Sequence, residues 1–557
     1  MSVRQPSAYR PTKPDIAVFV SGVTSMGLEI LAGRIIAPQF GSSIYTWGSI
    51  ITVFLTALSL GYWQGGKQAG EASNRRMCWL MLGTAGYVAI VVYGSDQLLL
   101  SASALPLPAR YASLPAVLVL FGPPTYLLGF ISPYAAELSA KEGTGEASGH
   151  VYALGTIGSI VGAGATTYFL IPALGIDAIG LLFGFVLVGT ALALTLPTLA
   201  PTPAAASVAI ALVLVVAAGI GPVAFDHRGD VVYQTQTAYQ ELEVIDNGDE
   251  RTLYLDGARH SAMDLDDPER HVFEYTRYFH IPMLMVDDPA EVENVLFIGG
   301  GGYTGPKDYE RTYDVDVDVA ELDPEVSQAA KDYFRLEESE NMTVHTKDGR
   351  QFLRETDKNY DMIVLDAYQK DQVPVHLTQV GFMELAADRL TDDGVFLANV
   401  ISAPSGAGSD FYRAQYKTID EAFASTYSYR TSDWGSVQNI EVVATKADTD
   451  FTEADLAERN ERRDLGLDLR TEIDASLDPP KTDDVPVLTA DHAPVENLQA
   501  STIGQEYVIE RTGEEETTPE PASIAVGSER YDRARPAPTL EFESSIPGPR
   551  PLGSAPA

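Results

Sequence analysis

The chain of 557 residues holds one cysteine, Cys78. A lone thiol excludes an internal disulfide framework and any zinc site built on cysteines. Bases are scarce as well: 38 Lys and Arg stand against 77 Asp and Glu, a formal net charge of −39, and only 11 of the bases are lysine. The excess acid lies almost wholly beyond residue 225. A surface of that sign repels phosphate backbones and argues against a nucleic-acid partner. Dense carboxylate with little lysine is also the balance of proteins that work in concentrated salt, where screening relieves self-repulsion.

The first 225 residues lack any polar helix face. Apolar runs occupy 16–37, 44–64, 77–95, 113–133, 151–173, 176–196 and 204–225. A bilayer-spanning helix needs about 20 apolar residues, and these runs leave no stripe for water. The sequence predicts a multi-pass membrane bundle of about seven spans. The first run is too long for a signal-peptide core and lacks a convincing cleavage site, so it is expected to be retained. Gly61 with Gly65, and Gly158 with Gly162, have the spacing that lets helices approach closely in lipid. Two ionisable residues interrupt the first run. Arg34 is near enough to its end to snorkel, whereas Glu29 is deeper and calls for a partner on a neighbouring helix.

Arg4, Arg10 and Lys13 fall on the same side as Lys67, Arg75 and Arg76. The positive-inside rule assigns that side to the cytoplasm, and seven spans then leave the rest of the chain outside. The motifs of the second half favour the cytoplasm. A short or re-entrant pass over 97–108 would reconcile the two, and the expectation is a cytoplasmic domain.

The chain divides into a transmembrane bundle (1–227), a small β domain leading into a helix (228–290), an α/β Rossmann-like domain (291–505) and an acidic, Pro-rich tail (506–557). From about 512 the tail has too few large apolar residues to bury a core, so disorder is expected. Short strands over 229–260 include a tight turn at Asn247-Gly248. Helical patterning covers 268–285. Strands at 294–298, 315–320, 342–345, 361–365 and 394–400 then alternate with helices such as 324–335 and 377–390. That alternation predicts a parallel sheet covered on both faces. A final hairpin is expected over 425–445, and charged helical segments over 450–480.

The strand Asn294–Ile298 runs straight into Gly299-Gly300-Gly301-Gly302-Tyr303-Thr304-Gly305. Glycine lets backbone approach a ligand closely and permits positive φ. Glu321 follows 20 residues after Gly301, at the end of the next strand, where a carboxylate accepts ribose hydroxyls. Asp348-Gly349 follows the third strand, where an acid can bond an adenine amino group or simply cap a helix. Asp366 ends the fourth strand. Ligands of open α/β sheets sit at the carboxyl ends of strands, so the four features point to one crevice.

These residues resemble the spermidine synthase family of polyamine aminopropyltransferases. The matching motifs are Ala238-Tyr239-Gln240, Leu255-Asp256-Gly257, the glycine loop, Glu321-Leu322-Asp323-Pro324, Asp348-Gly349-Arg350 and the strand from Tyr360-Asp361 to Asp366. The whole chain resembles the subgroup in which such a domain is fused to a membrane bundle, through Phe40–Gly48, Glu274–His280 and Ala490–Glu496; its acidity suits a haloarchaeal member. The resemblance implies a class I methyltransferase-like fold and decarboxylated S-adenosylmethionine as co-substrate, with no metal. It implies that Gly299, Gly301, Gln240, Glu321, Asp348 and Gly349 hold that donor. Asp366, assisted by Tyr239, would orient or deprotonate an attacking amine, because an amine must lose a proton to attack the carbon beside a sulfonium. His260, Tyr368 and Asp371 would contact the amine, and a homodimer follows by family analogy. The departures fall on the amine half. Gly302 replaces an Asp, His260 replaces a Gln, and Asp366-Ala367-Tyr368-Gln369-Lys370-Asp371 replaces Asp-Ser-Ser-Asp-Pro. Methyl transfer from S-adenosylmethionine, and a non-enzymatic nucleotide-regulated sensor or transporter, are the alternative functions.

Overall fold

An apolar chain with no polar face satisfies its backbone hydrogen bonds in lipid as helix. A computed structural model describes residues 11–41, 43–103, 105, 107–139, 144–197, 201–220, 229–368, 373–502, 505 and 507–512. Among these, six helices are long and apolar enough to cross a bilayer: Lys13–Phe40, Ile44–Lys67, Asn74–Ser95, Arg110–Ser139, Gly145–Ala173 and Ile176–Thr195. They give the chain the make-up of a multi-pass membrane protein. The seventh expected span is a shorter apolar helix over its described stretch, Pro201–Val216. The third helix continues unbroken to Ser103, so 97–103 lengthens that helix instead of starting a re-entrant pass. The tail from 513 lies outside the described residues.

The glycine spacing is used where the helices touch. A Cβ on Gly158 would overlap the carbonyl oxygen of Phe19, and one on Gly162 that of Val23. The fifth helix thereby lies against the first. Gly61 lies equally close to Tyr126 and Gly129 of the fourth. Glu29 is half-buried and has no hydrogen bond or ion pair among the described residues, so the interhelical partner expected for it is not found.

Lys13 donates to the carbonyl of Leu194 (3.1 Å), and Asp15 meets His150 (3.2 Å), at one end of the bundle. At the other end Arg34 donates to the carbonyl of Ala238 (3.0 Å) and Tyr45 to Asn497 (2.6 Å). The soluble part therefore docks on the end opposite Lys13. Arg34 is held by protein carbonyls instead of snorkelling to lipid headgroups.

Four antiparallel strands follow the bundle: β1 (Asp230–Gln236), β2 (Glu241–Asn247), β3 (Glu250–Leu255) and β4 (Ala258–Asp264), in that order. Gly248 turns β2 into β3 at φ +65°. The long helix expected over 268–285 is replaced by two single turns, Tyr275–Tyr278 and Pro282–Met285. Pro282 supplies no amide to continue the first turn.

The larger sheet holds β5 (Asn294–Ile298), β6 (Asp316–Glu321), β7 (Met342–Thr346), β8 (Tyr360–Leu365), β9 (Leu390–Ser402), β10 (Ser425–Arg430), β11 (Gln438–Thr445) and β12 (Ser476–Leu477). Its order is β12-β10-β11-β9-β8-β5-β6-β7. Strands β5 to β9 are parallel, while β11 and β10 return antiparallel. Alternating side chains split into two apolar layers: Val295, Phe297, Val364, Leu397 and Val443 on one face, and Leu296, Ile298, Leu365, Ala398 and Val442 on the other. The chain leaves β5 for β6 on one side, with β8 on the other. Such a switch point opens a crevice at the strands' carboxyl ends.

Candidate active site

The turn after β5 can be made only by residues that tolerate positive φ. Gly299 has φ +97° and Gly301 φ +52°. A Cβ on Gly299 would collide with the carbonyl oxygen of Asp366, and one on Gly301 or Gly302 would crowd Ser261 of β4. The loop is thus wedged between the end of β8 and the small sheet. Two side chains hold its amides: Glu321 Oε2 accepts from Gly300 (2.8 Å), and Ser261 Oγ accepts from Gly302 (2.8 Å).

Glu321 ends β6 beside this loop, 8% exposed, and its other oxygen accepts from the amide of Asp323 (2.8 Å). Burial raises its pKa above the carboxylate norm, and the two amides oppose that shift. Each oxygen keeps a lone pair for a further donor. Asp348 follows β7 and caps the helix Gly349–Glu355 by accepting from Gln351 (2.9 Å). Its second oxygen meets His376 Nε2 at 2.7 Å. A Cβ on Gly349 would overlap Ile298, so only glycine lets this helix reach the end of β5.

Asp366 leaves β8 with its amide bonded to the carbonyl of Ile298 (2.9 Å). Burial pushes its carboxyl up to about 6, against the pull of Asn399. A chain of amides ends on this oxygen. The Tyr507 hydroxyl donates to Asn439, Asn439 to Asn399 and Asn399 to Asp366, each over 2.8 Å. These donors point one way and favour the ionised acid. Sequence reasoning missed all three partners. The signal was an amide within each of two apolar strands, Phe396-Leu397-Ala398-Asn399-Val400 and Asn439-Ile440-Glu441-Val442.

The amine-side residues are less gathered. His260 adjoins Ser261; its carbonyl accepts from Tyr275 (3.1 Å), and burial drops its imidazole to about 4, leaving it neutral at pH 7. Tyr239 sits on the turn between β1 and β2, 48% exposed, with no described hydrogen bond to Asp366. It and Gln240 direct their amides to Thr237 Oγ1 (3.0 Å each). Tyr368 corrects the sequence expectation. Its ring is buried in the layer on the far face and its hydroxyl donates to Leu377 (3.0 Å), so it does not reach an amine beside Asp366. Asp371 lies outside the described residues.

Two other polar groups stand apart. A cleft of about 300 Å³ lined by Asp318, His345 and Lys358 contains none of the expected site residues, and its charges pair with one another. His271, His280 and Asp308 gather ligand atoms within 4.8 Å, a potential cation set that the sequence spacing does not reveal. Arg311 and Thr312 take the other oxygen of Asp308, so the cluster stands as a hydrogen-bonded support under the 270–286 segment.

Residues 273–407 match the spermine/spermidine synthase domain model. The chain is 30% identical over 209 residues to a polyamine aminopropyltransferase of Vibrio vulnificus, covering 36% of this chain and 67% of that protein. It belongs to the spermine/spermidine synthase family. A Methanocaldococcus jannaschii polyamine aminopropyltransferase is 30% identical over 175 residues, 30% of this chain and 57% of that relative. The crystal structure of a Thermotoga maritima spermidine synthase covers 45% of this chain and 85% of that one, at 21% identity and a TM-score of 0.36. The family segment takes in β5 to β9, and with them the glycine loop, Glu321, Asp348 and Asp366.

Proposed function

We propose that this family member is a membrane-anchored aminopropyltransferase that moves the aminopropyl group of decarboxylated S-adenosylmethionine to an amine. The single observation behind the reading is Asp366, a carboxylate raised to about 6 and tied through its backbone to the end of β5. A base poised near neutrality suits removal of an ammonium proton. In this reading Glu321 binds the ribose, Asp348 the adenine amino group, and the glycine amides approach the sugar. The attacking nitrogen forms a bond to the aminopropyl carbon, the C–S bond breaks, and methylthioadenosine leaves. Asp366 takes the proton. Within the site, neutral His260 adds no positive charge against a cationic acceptor. No metal takes part.

We place the domain in the cytoplasm, with its donor, and allow for a homodimer. Product identity tests the reading. Purified full chain given decarboxylated donor and an amine is expected to release methylthioadenosine. Release of S-adenosylhomocysteine from the intact donor would assign methyl transfer instead. Tight donor binding with no turnover across amines would assign a sensor.

A further inference from the structure

The helix Thr304–Tyr313 continues from the glycine loop and buries Asp308. The 270–286 segment brings two imidazoles to one oxygen of that carboxylate. His271 Nε2 lies 3.1 Å and His280 Nε2 2.9 Å from Asp308 Oδ2. The two rings meet edge to face with centroids 5.6 Å apart. His280 is fully buried, Asp308 is buried, and His271 is partly buried.

The hydrogens of this cluster are constrained. The Thr276 hydroxyl donates to the carbonyl of Phe273 (2.8 Å), so it accepts from His271 Nδ1 (2.7 Å). A neutral His271 then turns the lone pair of Nε2 toward an anionic oxygen. His280 Nδ1 is 2.7 Å from the Tyr313 hydroxyl. Its Nε2 has no hydrogen-bond partner among the described residues, because Asp308, though close, lies off the N–H direction. Protons alone would settle these contacts only with both rings charged. Asp308 would then face two imidazoliums, with Arg311 already on its other oxygen, and a charged ring is costly at the buried position of His280.

We propose that one divalent transition-metal ion takes the place of those two protons, held by His271 Nε2, His280 Nε2 and Asp308 Oδ2. Two imidazoles with one carboxylate select a zinc-class ion over Mg2+ or Ca2+. Metal–ligand bonds of about 2.0–2.2 Å set tetrahedral donors about 3.3 Å apart, close to the two contacts seen here, and all three donor atoms lie within 4.8 Å of one another. Each ring already has its other nitrogen fixed by a hydroxyl, the outer contact that orients a metal-binding histidine. Arg311 and Thr312 fix Asp308 Oδ1, and Glu269 balances the guanidinium (3.1 Å). Water completes the fourth position. The ion is structural and takes no part in the transfer step. It staples the 270–286 segment to the helix that leaves the glycine loop.

The test is equilibrium metal binding, which needs no turnover. The untagged full chain in detergent is stripped with a chelator and titrated with Co2+, then with Zn2+, in excess Mg2+ that occupies the acidic surface. One equivalent of Co2+ is expected to give the intense visible bands of a four-coordinate, nitrogen-ligated ion. Zn2+ is expected to displace it and to raise the melting temperature. His271→Gln, which keeps a donor for Thr276 and removes the imidazole, is expected to weaken Zn2+ binding by about tenfold or more and to lose the melting shift. No Co2+ bound in excess Mg2+, the pale spectrum of six-coordinate, oxygen-bound Co2+, or unchanged Zn2+ affinity in His271→Gln would each overturn the assignment. The spectrum of the unsubstituted chain decides the matter even if the variant fails to fold.

Discussion

The guanidinium of Arg34, on the first membrane helix, donates to the carbonyl of Ala238, the residue before Tyr239. A second, longer bond of 3.4 Å reaches Thr237. Thr237 in turn organises the turn by accepting the amides of Tyr239 and Gln240. The membrane bundle therefore grips the segment that carries two expected site residues, which gives the anchor a physical task. Arg34→Ala should loosen this turn at a stability cost of about 1 kcal/mol and lower kcat several-fold without dismantling the bundle. Arg34→Lys should recover part of the loss. Steady-state kinetics with a thermal melt of each variant checks this.

In the proposed reading Asp366 sets the pH profile. Its folded pKa of about 6 lies above the ordinary 3.8, so the base form is lost as pH falls through about 6 and kcat should fall with it. The sign for stability is opposite. The raised pKa means that ionisation weakens the fold, with the penalty developing between about pH 4 and 6 and persisting above. Asp366→Asn should abolish turnover yet stabilise the chain at pH 8 by up to about 2–3 kcal/mol, from roughly two pKa units. A melt at pH 8 in which the variant unfolds earlier than the parent would contradict the buried-carboxylate account.

Glu321 combines two duties, since it holds Gly300 and Asp323 while presenting lone pairs to the crevice. Glu321→Gln replaces one acceptor oxygen with a donor and sets it against a backbone amide. Donor affinity should drop by about tenfold or more, at an order of 1–2 kcal/mol per lost charged bond. Calorimetric titration reads the affinity directly.

The bundle makes its own prediction. Gly158 and Gly162 leave no room for a side chain against Phe19 and Val23. Leucine at either position should separate the first and fifth helices and reduce folded protein in membranes, while leucine at Gly94, which meets nothing within 4 Å, should be tolerated. Size-exclusion profiles of the detergent-solubilised variants separate these cases.

Topology sets two arguments against each other. The soluble part docks on the bundle end opposite Lys13, so the basic 67–76 segment and the domain lie on different sides. Donor supply favours a cytoplasmic domain; the positive-inside rule favours the reverse. Asp478→Cys on the exposed domain surface, in a Cys78→Ser background, should resist a membrane-impermeant thiol reagent in intact cells and react after lysis. Labelling of intact cells would move the domain outside.

Much of this fold was legible because periodicity changes character along the chain. Continuous apolar runs gave the bundle, and strand-helix alternation gave β5 to β9. The positions of the glycine loop, Glu321 and Asp348 at the ends of β5, β6 and β7 were readable because each follows a strand at a fixed offset. The segment 268–285 was misread because buried aromatics such as Tyr275, Tyr278 and Phe279 repeat at helical spacing while covering a sheet as broken turns. Tyr368 was misplaced because sequence proximity to Asp366 does not reveal which face of the sheet a side chain takes. Asn399 comes from a strand 33 residues beyond Asp366, and only the strand order brings it there.

The most direct test of the account is a donor titration of the full chain with S-adenosylmethionine in its decarboxylated and intact forms. The crevice at the ends of β6, β7 and β8 presents acids at Glu321, Asp348 and Asp366, so a donor lacking its own carboxylate should bind at least tenfold tighter. Equal affinity, or preference for the intact form, would contradict aminopropyl transfer at this site.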